Sequence, residues 1–274
     1  MALASRLAVS AALLATLAGL ACHARGAVAT SEPSGAAQPP RFDHLVVFVT
    51  DDALGTCLAE VFTPAERLAT RHEGQGTSGR YFLFLNTFLE LLKLEDLDEA
   101  RANQAAFGSD YALRWSAAGS PFAVGVVVAS LEPSRAGFPA RIYAAPDGRS
   151  TYLMATGNQD ARAPLVYATG PERAHPRRES LDEVDAIEDP GRRETVREYL
   201  THPSGALTVT RIVVSLPPEA LDSTNVELAR ELEHIEFVPA GAGSSSPHLW
   251  LELDGGTQGR THECEGPPGV TLRW

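Results

Sequence analysis

The order strand, helix, strand, strand, strand occurs at both ends of this chain, and that repeat restricts the fold more than any single element does. At the N-terminal end residues 42–49 (FDHLVVFV) form a short apolar run rich in β-branched residues, which reads as a strand. Asp51 and Asp52 offer N-caps to a helix whose Leu54, Leu58, Val61 and Phe62 fall at i, i+4, i+7 and i+8, the spacing of one apolar face. Residues 69–73 make a weaker strand, and residues 81–85 (YFLFL) and 87–94 (TFLELLKL) make two more. Near the C-terminus residues 207–216 (LTVTRIVVSL) form a strand stopped by Pro217 and Pro218. Thr224 and Glu227 form a capping box, Leu228, Leu232 and Ile235 line one helix face, and strands follow at 235–239, 248–254 and 270–274. Between the two copies, residues 123–130, 140–144, 151–156 and 164–168 read as four strands with no convincing helix after the first. The expected fold is therefore α+β, built from repeated βαβββ modules with curved, mixed sheets. The first module spans 41–110, a degenerate middle module 111–170 and a C-terminal module 204–274. Residues 171–203 are dense in charge and poor in apolar side chains, which predicts a solvated connector with a short helix near 191–200.

The amino terminus reads as an address rather than as part of the fold. Arg6 closes a short basic region, and residues 7–21 are apolar without a charge, too few for a span of about 20 residues. Two processing readings compete. Ala27-Val28-Ala29 suits ordinary signal peptidase, making 1–29 a signal peptide. Gly19-Leu20-Ala21-Cys22 resembles a lipoprotein box, with lipidation at Cys22 and a signal ending at 21. Residues 30–40, rich in Ser, Pro, Gly and Ala, read as a flexible tether. The expected location is outside the cytoplasm, periplasmic or secreted, with membrane contact only through such an anchor. Once Cys22 is removed or lipidated, Cys57 and Cys264 remain, either as one disulfide or as two isolated buried thiols. Asp and Glu total 35 against 23 Lys and Arg, for a net charge of -12. So acidic a chain repels phosphate backbones and anionic headgroups, and nucleic acid is not an expected partner.

Two stretches carry a family likeness. FDHLVVFVTDD at 42–52, with the helix and Gly-rich turn that follow and NTFLELL at 86–92, resembles the first module of the vicinal-oxygen-chelate superfamily, its glyoxalase-like branch most closely. HPSGALTVTRIVVSLPPEA at 202–220 resembles the start of a later module in the same proteins. The resemblance implies paired modules curled into a half-open cup that holds a small oxygenated molecule. In metal-dependent members a His on the first strand and a Glu on the last strand of a module bind the cation; the matching residues here are His44 and Glu90. Strand alternation puts His44, Val46 and Phe48 on one face, as it does Phe88, Glu90 and Leu92. The implied cofactor is one divalent Fe, Mn, Ni or Zn, acting as a Lewis acid on two adjacent substrate oxygens.

The rest of that site is missing from the sequence. The middle segment offers Val124, Gly125 and Val126 on its first strand and Tyr167 and Ala168 on its last. In the C-terminal module Arg211 matches His44, and Arg273 stands near the position of Glu90; both are cations. His248, Glu252, His262 and Cys264 contribute only if the modules pack in an unexpected way. His44 and Glu90 therefore have three readings: half of a metal site, a metal-free acid–base or ligand-binding pair, or a core histidine hydrogen-bonded to the carboxylate. Arg211 and Arg273 either grip a carboxylate or phosphate of a ligand or form surface salt bridges. Tyr81 and Asn86, on and beside the same strands, are expected along the ligand wall. Gly74, Gly76 and Gly79 satisfy G-x-G-x-x-G, but a strand rather than a helix follows, so the segment reads as a rim loop able to act as a lid. The expected function is binding of a small molecule in a β-cup by an exported protein. The alternative is a metal-dependent isomerase, lyase or dioxygenase using His44 and Glu90, and a third is an interaction module built on the 171–203 connector.

Overall fold

A computed structural model describes residues 38–116, 119–241 and 247–274. The signal segment 1–29, Cys22 and residues 30–37 of the tether lie outside the described residues. Strands β1 (Arg41–Val49), β2 (Thr70–His72), β3 (Thr77–Leu83) and β4 (Phe88–Leu94), with helix α1 (Ala53–Leu58) after β1, form the first module. Strands β5 (Phe122–Val127), β6 (Ala140–Ala144), β7 (Thr151–Ala155) and β8 (Leu165–Thr169) form the middle one, again without an α-helix after its first strand. The two join through the antiparallel β1–β5 pair into one curled eight-stranded mixed sheet of order β2-β3-β4-β1-β5-β8-β7-β6. The fold is α+β.

The C-terminal segment differs from a simple βαβββ module. Strand β9 (Val209–Leu216), helix α5 (Thr224–Arg230), β10 (Ile235–Pro239), β11 (His248–Leu253), β12 (Thr261–Cys264) and β13 (Gly269–Arg273) form a five-stranded sheet of order β10-β9-β11-β13-β12. Its pairings run parallel, antiparallel, parallel, antiparallel. That is the pattern of β4-β1-β5-β8-β7 at the centre of the larger sheet. The C-terminal segment is thus a shortened copy of the joined module pair, not of one module.

Both sheets turn their helix-bearing faces into a shared core. Leu45, Val47 and Val124 of the first sheet, Ile212, Val214 and Leu251 of the second, Leu54 and Leu58 of α1, and Val226 and Ala229 of α5 belong to one buried cluster. The opposite face of the larger sheet is covered by helix α2 (Leu97–Phe107) and the single turn Ala112–Trp115, which place Tyr111 and Trp115 against Val46, Phe48 and Leu92. Helix α2 has no apolar stripe for sequence to show: its buried residues are Ala100 and Asn103. Its ends carry the signal instead, since Asp96 accepts from the N–H groups of Asp98 and Glu99, and Gly108 closes it at φ 70°.

The Gly-rich segment is no lid. It is the tight turn between β2 and β3, and Gly76 O accepts from the N–H groups of Glu95 and Asp96 at 2.9 and 3.0 Å. A Cβ at Gly76 would stand 2.2 Å from Asp96 O, so the turn is pressed onto the start of α2. The 171–203 connector holds helices α3 (Leu181–Asp185) and α4 (Pro190–Leu200). It has a small core of its own, in which Val184 and Leu200 pack on Leu85. Among the described residues no helix is long and apolar enough to cross a membrane.

Two buried imidazoles beside this core make stability acid-sensitive. His202 Nδ1 accepts from Thr63 N–H at 3.0 Å, so Nε2 donates to Leu83 O at 2.8 Å, and the neutral tautomer is fixed. Burial holds its pKa down at about 4, against a weaker upward pull from the Leu83 carbonyl and Asp254. His175, whose Nε2 donates to Phe84 O at 2.8 Å, is held at about 4 by burial as well. An unfolded chain protonates both near pH 6.5 while the folded one does not. Stability is therefore expected to fall as pH drops from about 6.5 to about 4, by about 3 kcal/mol for His202 alone. Urea midpoints at pH 7.5 and 4.5 read this directly, and equal midpoints would show that water reaches both rings.

Candidate functional site

His44 and Glu90 meet, as their strand positions predict. His44 on β1 stands beside Glu90 on β4, with Nε2 3.8 Å from Oε2, and its ring stacks on Phe88 at 3.9 Å. The surroundings leave little open. His44 is 5% exposed and Glu90 8%. Asp43, which strand alternation assigns to the other face, turns to the same side because β1 carries a bulge between Phe42 and His44. Its Oδ2 lies 2.7 Å from His44 Nδ1, and its Oδ1 accepts from His175 N–H at 2.9 Å. Burial raises the Asp43 carboxyl, but the hydrogen bonds from His44 and from the His175 N–H outweigh it and leave the pKa below the ordinary value. An ionised carboxylate only accepts, so Nδ1 of His44 carries the proton.

Nε2 of His44 is occupied too. The Tyr167 phenol on β8 hydrogen-bonds to it. Burial first, and then the negative charge of Glu90, hold Tyr167 well above the ordinary phenol range, so it stays protonated and donates to the imidazole. Tyr81 on β3 lies against Glu90 and is raised well above its ordinary value by burial and by that carboxylate. Two strand glycines make room for this cluster. A Cβ at Gly125 would sit 2.5 Å from His44 Cε1, and one at Gly79 would sit 2.3 Å from the Tyr81 hydroxyl. Glycine inside a strand marks such close approach, and this was the signal in the sequence for the missing half of the cluster.

The donor set does not suit a divalent cation. Opposite His44 on β5 stands Gly125, and opposite Gly125 on β8 stands Tyr167, so the partner module supplies neither a His nor a carboxylate. Asp43 is engaged on the far ring nitrogen. Among the described residues the one group of three His, Cys, Asp or Glu donors lying close together is elsewhere: Cys57, His262 and Cys264. In that group the two cysteines form a disulfide joining α1 to β12.

Asn86 does not reach the cup. Its side chain donates to Val209 O at 2.7 Å and accepts from Val209 N at 3.0 Å, clipping the β3–β4 turn to β9.

Arg211 and Arg273 lie on the second sheet, on the face turned away from α5. Register equates Arg211 with His44, Glu236 with Glu90, Glu252 with Gly125 and Arg273 with Tyr167. The counterpart of Glu90 is therefore Glu236, not Arg273, because the strand that follows α5 takes the place beside β9 at once. This face forms an open, largely apolar cleft of about 370 Å³ floored by Val213, Val238 and Trp250. Trp250 is 39% exposed and packs on the His248 ring, whose Nε2 lies 2.9 Å from Thr271 Oγ1. Arg211 is held by Glu236 in a two-pronged pair at 2.9 and 2.7 Å. Arg273 makes no ion pair among the described residues; its partner across the ladder is Glu252.

No family model matches the chain, and no curated protein matches it. Among solved structures it is similar to a hypothetical protein from Staphylococcus aureus, at 7% identity and a TM-score of 0.49, over 86% of this chain and 99% of that one. It is also similar to a xylose isomerase-like TIM barrel/4-hydroxyphenylpyruvate dioxygenase fusion protein, at 12% identity and a TM-score of 0.41. That match covers 81% of this chain and 38% of the fusion protein.

Proposed function

We propose that this is an exported small-molecule-binding protein of the vicinal-oxygen-chelate type, whose ligand sits on the C-terminal sheet rather than at His44 and Glu90. One contrast carries the reading. The larger sheet has the face turned away from α1 filled by Tyr111 and Trp115, and both ring nitrogens of its histidine are engaged. The equivalent face of the smaller sheet is uncovered among the described residues and centred on Trp250. An aromatic floor beside a guanidinium suits a flat, mostly apolar molecule bearing one carboxylate, with its ring on Trp250 and its anionic group toward Arg273. The disulfide is consistent with an oxidising compartment and so with export.

Two of the three tryptophans make the test direct. Their indole N–H resonances are followed during titration with a panel of monocyclic aromatic carboxylates. Trp115 reports on the first cup, where its Nε1 donates to Val49 O at 3.1 Å, and Trp250 reports on the second. The expected result is a saturable shift of Trp250 that weakens at least tenfold in Arg273→Ala. A shift centred on Trp115, or a panel that leaves Trp250 unmoved, would overturn the assignment.

One observation favours a second reading, in which His44 is a general base. A carboxylate on Nδ1 orients the imidazole toward Glu90 and Tyr167, the arrangement that acid–base catalysis uses. That reading requires the cup to open, and the His44 variant below separates the two.

A further inference from the structure

We infer that Cys57, His262 and Cys264 form a reduction-dependent site for one thiophilic cation of the Zn2+ kind. The inference is independent of the ligand cleft and of His44. It begins with strand geometry: His262 and Cys264 are two residues apart on β12, so their side chains leave the same face. Strand β12 is an edge of the second sheet, and α1 lies against it with Cys57. One donor atom from each of the three residues lies within 4.8 Å of the others. His262 Nε2 is 3.3 Å from Cys57 Sγ, and the two cysteine Cα atoms are 5.8 Å apart.

The imidazole–sulfur separation already suits one edge of a tetrahedral centre. Zn–S bonds of about 2.3 Å and Zn–N bonds of about 2.0 Å set sulfur–sulfur edges near about 3.8 Å and sulfur–nitrogen edges near about 3.5 Å. The imidazole therefore needs almost no movement toward Cys57. The sulfurs need only side-chain rotation once they are no longer bonded to each other. Two thiolates and an imidazole are a soft donor set that prefers Zn2+ to Mg2+ or Ca2+, and three protein donors leave a fourth position to water.

The oxidised chain cannot bind, because sulfur in a disulfide is not a thiolate. A dithiol reductant opens the bond: one of its thiolates attacks the half-buried Cys57 sulfur and releases Cys264. Its second thiolate then resolves the mixed disulfide and releases Cys57. Two electrons pass to the protein, the reductant leaves as a disulfide, and both protein sulfurs become thiols. The cation then displaces one proton from each thiol into water. The same pair of residues thus clips α1 to β12 covalently when oxidised and through a metal when reduced.

The test uses Co2+ as the probe on the full chain, reduced anaerobically with a phosphine. One Co2+ per chain is expected, with thiolate-to-cobalt charge-transfer absorption that the unreduced chain lacks and that Zn2+ abolishes by competition. His262→Ala is expected to weaken binding at least tenfold, and Cys264→Ser to remove the charge-transfer absorption of a two-thiolate site. Equal Co2+ binding with and without reductant would overturn the inference, as would a reduced chain that binds none or a His262→Ala chain that binds as well as its parent. If reduction melts the protein, the readout becomes recovery of its ordered circular dichroism on adding Zn2+. Melting that Zn2+ does not reverse would overturn the inference equally.

Discussion

Reduction of the Cys57–Cys264 bond, or replacement of both cysteines by serine, is expected to lower stability by about 5 kcal/mol, and the melting temperature by about 10–20 °C for a chain of this size. The bond closes a loop of sequence separation 207, so it removes many conformations from the unfolded chain. Its two ends also belong to different sheets' neighbourhoods: Cys57 is on the helix that follows β1, and Cys264 is on the edge strand of the C-terminal sheet. Calorimetry with and without a phosphine reductant, in the presence of a chelator so that no cation replaces the bond, gives the size of the effect. A drop below about 3 °C would show that the unfolded chain is already held compact by other means, and that loop closure contributes little here.

Much of this architecture was legible because its determinants are local. Runs such as FDHLVVFV and LTVTRIVVSL are β-branched and uninterrupted, and apolar residues at helical spacing follow each of them, so the β-α-β order at both ends could be read directly. The capping box expected at Thr224 and Glu227 falls one residue late, because Ser223 is the N-cap and accepts from Val226 N–H. Sheet order could not, because it depends on which strand lies beside β1 or β9 in space. Counting strands along the chain assigns Arg273 to the place of Glu90, whereas β10 enters beside β9 immediately after α5 and gives that place to Glu236. The face of Asp43 was hidden for a related reason. Alternation holds only in regular strand, and one bulge at the start of β1 turns a residue expected on the far side into the partner of His44. Tyr81 on β3, Tyr167 on β8 and Tyr111 beside the single turn come from distant parts of the chain, and nothing local marks Tyr167 as facing His44 except Gly125 on the strand between them.

His44→Ala is expected to cost about 3–5 kcal/mol at pH 7, the range seen when a buried ionic group loses its partner. Asp43 is 4% exposed, and the Nδ1–H of His44 supplies the hydrogen bond that offsets its burial. With the imidazole gone, only the His175 N–H and ring oppose that burial, so the Asp43 carboxyl moves up in the folded state. A carboxyl with a raised folded pKa stabilises the fold when protonated, so the deficit of the variant should shrink as the medium is acidified from pH 7 toward pH 4. Asp43→Asn in the same chain should recover part of the loss, because the charge that lacked a partner is removed, and the resulting double-mutant coupling measures how tightly the two are linked. The same variant decides what the first cup does. If His44 is a buried structural element, His44→Ala loses urea resistance while Trp250 still reports ligand with unchanged affinity. If His44 is instead a general base in a cup that opens, stability changes by less than about 1 kcal/mol, and the turnover of whatever substrate the cup admits disappears. A carboxylate and a phenol held on the two nitrogens of one buried imidazole weigh toward the first outcome, since the fold that holds them has more to lose from an absent His44 than from an absent ligand.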